Sequence, residues 1–239
     1  EGASVANMRS LDSNDVQYAI NYANTFIEAL NGEGDFDEPI DSIASLASLY
    51  PVYQQIATLE SNDDINTVED IVDKHIFLGP QGGGGPVAFW NMMEEYGIDE
   101  TVIEEAGGQI SYGNYSDGAS MMKDGIVEVF VGGGSPMIPA LQEIDVTNPV
   151  KVLPIEDDKL ESIKARGLGI SSGNLPAGTY GEQDEEVPTY TLVTTLSVRK
   201  DLEEDFVYHL TKFLWENHDK FEEQLPTRAA DMTLDTVLD

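Results

Sequence analysis

The chain has 239 residues, 41% of them hydrophobic, which is enough for one large domain or two smaller ones with buried cores. Its 45 acidic residues outnumber its 12 basic residues, and the formal charge of -33 excludes a nucleic-acid partner because no basic patch can form. The absence of cysteine excludes disulfides, thiolate metal sites and cysteine nucleophiles. No signal peptide and no apolar run of membrane-spanning length is recognisable.

The acidic residues are spread along the chain, and lysine is scarce even where solvated helix faces are expected. This distribution is typical of a salt-adapted surface. At about 1 M salt the Debye length falls to roughly 3 Å, so self-repulsion between the carboxylates largely disappears. The composition therefore predicts a halophilic protein that salt stabilises, with an ordinary acidic protein as the alternative.

The first predicted element is a helix over residues 3–11, for which Ser4 is the expected N-cap. A strand followed by a helix is predicted over residues 15–30. Residues 40–60 predict a long strand that is interrupted at Pro51. A short helix follows, with Thr67 and Asp70 at the two positions of a capping box.

The middle of the chain predicts alternating strands and helices. Strands are expected at residues 75–80, 126–134 and 150–155, and helices at residues 86–97, 117–125 and 135–145. Such alternation favours a parallel sheet with helical crossovers. After a glycine- and proline-rich stretch, a strand is predicted over residues 189–200 and one helix over residues 205–221, with Val207, Leu210, Leu214 and Phe221 on one stripe.

Two long extended segments, near Tyr50 and near Thr191, flank this middle section. The sequence therefore predicts an α/β protein of two lobes joined by two crossing strands. Lobe I comprises residues 1–72 and 189–239, and lobe II comprises residues 73–188.

Four consecutive glycines, Gly82 to Gly85, stand between a predicted strand and a predicted helix. A Walker phosphate loop is excluded because Pro86 and Val87 occupy the positions that require lysine and a hydroxyl residue. A dinucleotide fingerprint fits only loosely. The pattern favours a turn whose bare amides, at the positive end of the following helix, bind an anionic group. A purely structural tight turn is the alternative.

A second glycine turn, Gly132 to Gly134 with Ser135, also lies between a predicted strand and helix. Ligands of open α/β sheets bind outside the carboxyl ends of strands, so the two turns indicate one shared site. Ser135 is not a nucleophile elbow, since Met137 stands where that motif needs glycine. Helix N-cap is the favoured role of Ser135.

The remaining polar residues do not indicate catalysis or metal binding. His75, His209 and His218 lack metal-ligand spacing, and the acidic runs lack the frame of a calcium loop. Core packing is the default role of Tyr50, although its hydroxyl could line a cleft. Asn114 begins an N-glycosylation sequon.

Several segments together resemble the TAXI family of TRAP-transporter solute receptors. "GASVANMRSL" is similar to that family's GSVENLRLL, "SLYP" to its YPE-containing crossing strand, and "LGPQGGGGP" to its GPPGSGT loop. "MMKDGIVEVFVGGGSP" resembles the LKDGxIDAxFxxxGxP stretch. The longest and most specific match is "LPAGTYGEQDEEVPT", which is close to PAGTYPGQDEDVPT.

The resemblance implies a type II periplasmic-binding-protein fold and an extracytoplasmic receptor whose lobes close on a small carboxylate. The ligand class is glutamate-like amino acids, dicarboxylates or keto acids, and the implied partners are TRAP membrane subunits. Neither a cofactor nor enzymatic activity is expected. The family's first strand before the "GASVAN" segment and its short C-terminal extension have no counterpart in this sequence, so a lipid anchor could lie upstream.

The expected ligand-binding residues come from both predicted lobes: Ser4, Asn7, Tyr50, Gln81, Gly82, Gly83, Gly84, Gly85, Gly133, Gly134 and Ser135. The chain departs from the family where Gly83 and Gly85 or Pro86 replace the loop's serine and threonine, so backbone amides and Gln81 would have to bind the carboxylate. A ligand-sensing domain of a signalling receptor is the first alternative function, and an enzyme on the same scaffold is the second.

Overall fold

The computed structural model describes residues 3–237. The helices are α1 Ser4–Asp12, α2 Ala23–Asn31, α3 Gly84–Glu95, α4 Glu100–Ala106, α5 Tyr115–Lys123, α6 Pro139–Asp145, α7 Asp157–Ala165, α8 Glu204–Glu216, α9 His218–Gln224 and α10 Pro226–Asp231. The strands are β1 Tyr18–Tyr22, β2 Ile43–Leu59, β3 His75–Phe77, β4 Gln109–Ser111, β5 Val129–Gly134, β6 Val150–Val152, β7 Ile170–Leu175 and β8 Val187–Arg199. None of the described helices is long and apolar enough to cross a membrane.

The chain divides into two compact units. Unit 1 contains residues up to Pro51 and from Val193 onward, and unit 2 is Val52–Leu192. Both changes of unit fall inside the long strands β2 and β8, so these two strands carry the chain from one unit to the other. The lobe boundaries predicted from sequence, at residues 72/73 and 188/189, lie elsewhere. The chain ends of predicted lobe I, residues 1–2 and 238–239, lie outside the described residues.

Unit 1 is built on the antiparallel pair of β1 and the last part of β8, in which Ile20 lies opposite Leu196. Helices α1 and α2 bury one apolar cluster, which includes Met8, Leu11 and Ala29. A second cluster joins β2 and β8 to the C-terminal helices through Leu49, Leu196 and Met232.

Unit 2 contains the parallel strands. β3 pairs in parallel with both β4 and β5, whereas β2 pairs antiparallel with β5 and β6, and β7 pairs antiparallel with β8. A hydrophobic core of unit 2 lies around the stacked rings of Phe77 and Phe130, whose centroids are 5.1 Å apart. Within residues 3–237, the sequence-based expectation of a parallel sheet therefore holds for β3, β4 and β5 but not for the antiparallel pairings of β2, β6, β7 and β8.

The helix and strand predictions are confirmed for α1, β1, α2 and the short 3₁₀ helix Val68–Ile71, whose capping box of Thr67 and Asp70 is present. The interruption at Pro51 is wrong, because β2 continues through it; a strand tolerates proline where no partner needs its N–H. The single C-terminal helix is also wrong. Helix α8 ends at Glu216, where the Asn217 side chain donates to the Phe213 carbonyl at 2.8 Å, and α9 begins at His218.

Candidate functional site

The first glycine turn leads from β3 into α3 in unit 2. Gly79 and Gly82 have φ angles of 74° and 73°, in the left-handed region that favours glycine. Gly83 is the N-cap of α3 and supplies no side-chain cap, and Pro86 is the third helical residue, where its missing N–H is no loss. The Gly83 N–H donates to the Pro80 carbonyl at 3.1 Å, and the Gly85 N–H lies in the first turn of a 12-residue helix, at its positive end. Gly83, Gly84 and Gly85 are buried, whereas Gln81 is exposed.

The second glycine turn follows β5, which ends at Gly134. The prediction that Ser135 caps a helix is wrong, because α6 begins only at Pro139 with Ile138 as N-cap. Ser135 Oγ is buried and has no hydrogen-bond partner within residues 3–237.

Tyr115, the first residue of α5, connects the two turns. Its hydroxyl accepts a hydrogen bond from the Gly133 N–H at 2.8 Å. Its ring leaves no room for a side chain at either turn, since a methyl group added at Gly79 would lie 2.8 Å from Tyr115 Cε1 and one at Gly132 would lie 3.0 Å from Cζ. The two turns are therefore neighbours, and burial raises the pKa of Tyr115 so that the phenol stays neutral.

Gln54 on β2 lies between the same two turns. It pairs in register with Gly133, where an added methyl group would lie 2.6 Å from Gln54 Nε2. A methyl group added at Gly85 would lie 3.3 Å from Gln54 Oε1. Gln54 is fully buried, and neither atom of its amide has a partner among the described residues.

Tyr190 on β8 adds another fully buried polar atom to this part of unit 2. Its hydroxyl likewise lacks a partner within the described part of the chain. Burial raises the pKa of Tyr190, and the neighbouring Tyr115 raises it further. The preceding residue of β8, Thr189, donates its hydroxyl to the Gln54 carbonyl.

Buried polar groups that go without a hydrogen bond are rare in folded proteins and need a specific explanation. Here the amide of Gln54 lies within van der Waals reach of both glycine turns, one of which ends at a helix N-terminus. Among the described residues, the Gln54 amide therefore has a free donor group, Nε2, and a free acceptor, Oε1, beside both turns. Gln54 and Tyr115 are the residues that join the two turns, and both were missed from the sequence.

Ser4 and Asn7 lie in unit 1, where they hold α1 against β1. The N-cap of α1 is Ala3, not Ser4, because the Ser4 hydroxyl instead accepts from the Tyr22 N–H at 3.4 Å. Asn7 Nδ2 donates to the Ile20 carbonyl at 2.8 Å. Tyr50 also lies in unit 1, and its ring carries the Arg228 guanidinium 5.2 Å above its centroid. Their role in ligand binding stays a prediction.

One group of possible metal ligands is found in residues 3–237: His218, Asp219 and Glu222 on α9, whose ligand atoms lie within 4.8 Å of one another. The two carboxylates are exposed, and His218 Nε2 already contacts the Ala229 carbonyl at 2.9 Å. The group belongs to unit 1 and lies far along the chain from the glycine turns, which belong to unit 2.

The amino-acid sequence of residues 1–239 matches the NMT1-like family. The chain belongs to that family. Among solved structures, this NMT1-like chain is similar to XAC2383 from Xanthomonas citri, solved bound to ATP, with 10% identity and a TM-score of 0.56 over 97% of this chain and 75% of the other.

A second similar structure is the periplasmic aliphatic sulphonate binding protein SsuA from Escherichia coli, with 13% identity and a TM-score of 0.56 over 95% of this chain and 63% of the other. A third is a putative L-cystine ABC transporter protein from Listeria monocytogenes, with 16% identity and a TM-score of 0.51 over 96% and 77%. At these identities the likeness concerns the fold. The prediction of an α/β fold of the type II periplasmic-binding-protein class is confirmed.

Proposed function

We propose that this NMT1-like chain is an extracytoplasmic solute-binding receptor of the TAXI type, which captures a small carboxylate and delivers it to a TRAP-type membrane transporter. Its support comes from the family, from a fold like that of periplasmic binding proteins, and from the long "LPAGTYGEQDEEVPT" segment. The ligand binds at the two glycine turns of unit 2.

The observation that carries this proposal is the unsatisfied amide of Gln54. Leaving a buried donor or acceptor unpaired costs about 1–3 kcal/mol, so a protein retains such a group where it has a use. Gln54 lies beside Gly85 near the N-terminus of α3, which favours negative charge. A carboxylate there accepts from Gln54 Nε2 and from the Gly85 N–H, one of the first four N–H groups of α3, at the same time.

The acceptor Gln54 Oε1 narrows the choice of ligand. It needs a donor from the ligand, and the ammonium group of an amino acid provides one next to the carboxylate. A keto acid or a fully ionised dicarboxylate has no such donor. Among the ligand classes expected from the resemblance, glutamate-like amino acids therefore fit both atoms of the Gln54 amide.

The test is isothermal titration calorimetry of the protein against amino acids, dicarboxylates and keto acids in molar salt. We expect at least one amino acid to bind with micromolar affinity, about -8 kcal/mol. Gln54→Met removes both amide atoms at similar volume and should abolish the signal. Lys123→Gln, an exposed change on α5, is the control that should bind like the original protein. Absence of heat from every compound contradicts the proposal.

Transport, sensing and catalysis are distinguished by the fate of the bound ligand. A receptor returns its ligand unchanged, so mass spectrometry after incubation should recover the bound amino acid intact. Uptake by vesicles that carry TRAP membrane subunits should then depend on the added protein. Binding without any effect on uptake favours the sensor, and conversion of the ligand favours an enzyme.

We also propose that the surface is adapted to salt, because a formal charge of -33 on 239 residues opposes compaction at low ionic strength. The melting temperature should rise between dilute buffer and molar sodium chloride, as screening shortens the range of repulsion. A melting temperature that stays constant or falls contradicts this part of the proposal.

A further inference from the structure

An apolar cavity of about 260 Å³ lies within unit 1, remote in sequence from the glycine turns. Its base is one face of the β1–β8 pair, where Ile20 and Leu196 lie opposite each other. Its walls come from the C-terminal helices, including Leu210 and Phe213 of α8. Ile20 is 53% exposed and Phe213 is 61% exposed, so the cavity opens to solvent.

The charged group among the described residues that line this cavity is the guanidinium of Arg228. It lies over the ring of Tyr50, 5.2 Å from the centroid, and both residues line the cavity. Two other arginines, Arg166 and Arg199, form ion pairs with carboxylates. Among residues 3–237, Arg228 has no carboxylate within ion-pair distance, although the chain has 45 acidic residues.

We propose that this cavity is a second binding site, which takes a small apolar monocarboxylate. The apolar part of the ligand packs on Leu196 and Phe213, and its carboxylate pairs with Arg228 at the solvent-exposed opening. At the packing density of protein interiors, a cavity of this size holds roughly ten non-hydrogen atoms, which matches a phenyl ring with a short acid chain. Arg228 prefers a carboxylate because its planar fork can donate two parallel hydrogen bonds.

This site uses a different part of the chain and a different chemistry from the proposed amino-acid site. The glycine turns offer backbone amides and a buried glutamine, whereas the unit 1 cavity is mostly apolar with one cation at its edge. The two proposals can therefore fail separately.

The two tryptophans allow each unit to be followed separately. Trp90 lies on α3 in unit 2, and Trp215 lies on α8 in unit 1, packed against the cluster that contains Leu49 and Leu196. In the Trp90→Phe variant, the fluorescence of Trp215 reports on unit 1. We expect saturable titration of this signal by 3-phenylpropionate in molar salt, and binding at least about tenfold weaker for the neutral 3-phenylpropionamide.

Variants in the Trp90→Phe background identify the residues. Arg228→Gln should weaken 3-phenylpropionate binding about tenfold or more by removing the charge-assisted hydrogen bonds. Lys220→Gln removes one positive charge from the exposed surface of α9 and should change the affinity little.

A further variant tests the cavity itself. Ala229→Leu fills the cavity and should abolish binding; far-UV circular dichroism checks that this variant is folded, and Arg228→Gln tests the site independently. Gln54→Met should leave this signal unchanged.

Two outcomes overturn the proposal. One is a fluorescence titration with 3-phenylpropionate that does not saturate, or an affinity for 3-phenylpropionate that Arg228→Gln and Lys220→Gln lower equally. The other is a stable dimer, seen by light scattering, in which a second copy covers the exposed side chains of Ile20 and Phe213 and the acid has no effect.

Discussion

Gln54 and Gln55 are consecutive residues of the same strand and both are fully buried, but their side-chain amides differ in their hydrogen-bond partners. Because successive side chains of a strand point to opposite faces, the Gln55 side chain lies on the other face of the sheet from that of Gln54. Its Nε2 donates to the Pro136 carbonyl at 2.6 Å, and its Oε1 accepts from the Tyr180 hydroxyl at 2.6 Å. Gln54, one residue earlier, has no partner for either amide atom within residues 3–237.

The difference separates a structural polar group, Gln55, from the one that we propose contacts the ligand, Gln54. Gln55 belongs to a satisfied network, in which the Tyr180 hydroxyl also accepts from the Ile138 N–H at 3.3 Å, and burial raises the pKa of Tyr180 so that it remains a donor. This network fixes the chain after β5. The Gln54 amide makes no such hydrogen bonds within residues 3–237, and we propose that Gln54 is retained for the ligand.

The largest expected effect comes from exchanging each glutamine for methionine. Gln55→Met leaves the Pro136 carbonyl and the Tyr180 hydroxyl donor unpaired, and should lower the free energy of unfolding by about 2–4 kcal/mol. Gln54→Met removes two unsatisfied atoms and should raise it by about 1–2 kcal/mol in the ligand-free protein. Chemical denaturation in molar salt measures both.

The direction in which each variant changes the free energy of unfolding matters more than the size of the change. The same two substitutions should have the opposite order in ligand binding, with Gln54→Met abolishing it and the surviving folded fraction of Gln55→Met retaining it. If both variants lose stability to a similar extent, Gln54 is an ordinary structural residue and the contrast between the two positions disappears.

The next effect concerns the glycines on either side of Gln54. Gly133→Ala places a methyl group 2.6 Å from Gln54 Nε2 and 2.7 Å from Val52 Cγ1, and should cost about 1–3 kcal/mol of stability. Gly85→Ala places one 3.3 Å from Gln54 Oε1 within helix α3, where alanine is favoured over glycine by about 0.5–1 kcal/mol.

Gly85→Ala is therefore expected to keep or raise the melting temperature and to weaken ligand binding about tenfold, since the methyl group enters the space beside the turn amides. The double variant Gln54→Ala with Gly133→Ala should recover part of the stability lost in Gly133→Ala, because one of its two close contacts is gone. The placement of the ligand between these glycines is contradicted if the double variant is no more stable than Gly133→Ala and if Gly85→Ala binds the ligand normally.

Local signals in the sequence were sufficient for much of the fold. The alternating pattern predicts β8, and the capping box at Thr67 and Asp70 marks the start of the 3₁₀ helix. Local signals were insufficient where a helix ends inside a continuous apolar stripe, as α8 does at Glu216. Helix α7 and strand β7 were missed because they lie in charged or glycine-rich stretches that look like loops.

The glycine turns were recognisable because their composition is unusual, but the residues that complete the site were not. Gln54 reaches Gly133 only through the register of β2 and β5, which are far apart along the chain. Tyr115 looks like a packing residue of α5 until its hydroxyl is seen to bind the Gly133 N–H. Strand register and tertiary contacts carry this information, and a single sequence does not display them.

The smallest expected effect tests whether every unpaired buried atom indicates a ligand. Glu28 on α2 also has a buried oxygen without a partner among the described residues, but its neighbours are the carboxylates Asp35 and Glu33. Burial is the largest cause, and the charges of Asp35 and Glu33 add to it; together they raise the pKa of Glu28 from 4.5 to about 7.

Since the pKa is raised on folding, the contribution of Glu28 to stability is fully present below pH 4.5 and is lost as the pH rises through about 7. Because Glu28 is only half-buried, solvent screening limits the gain from Glu28→Gln to about 1 kcal/mol at pH 8, with none at pH 4. Thermal melts at both pH values measure it, and exposed Glu33→Gln, expected to give a smaller gain, is the control. An equal gain at both pH values, or ligand-dependent behaviour of Glu28→Gln, contradicts the view that repulsion rather than a binding role leaves this oxygen unpaired.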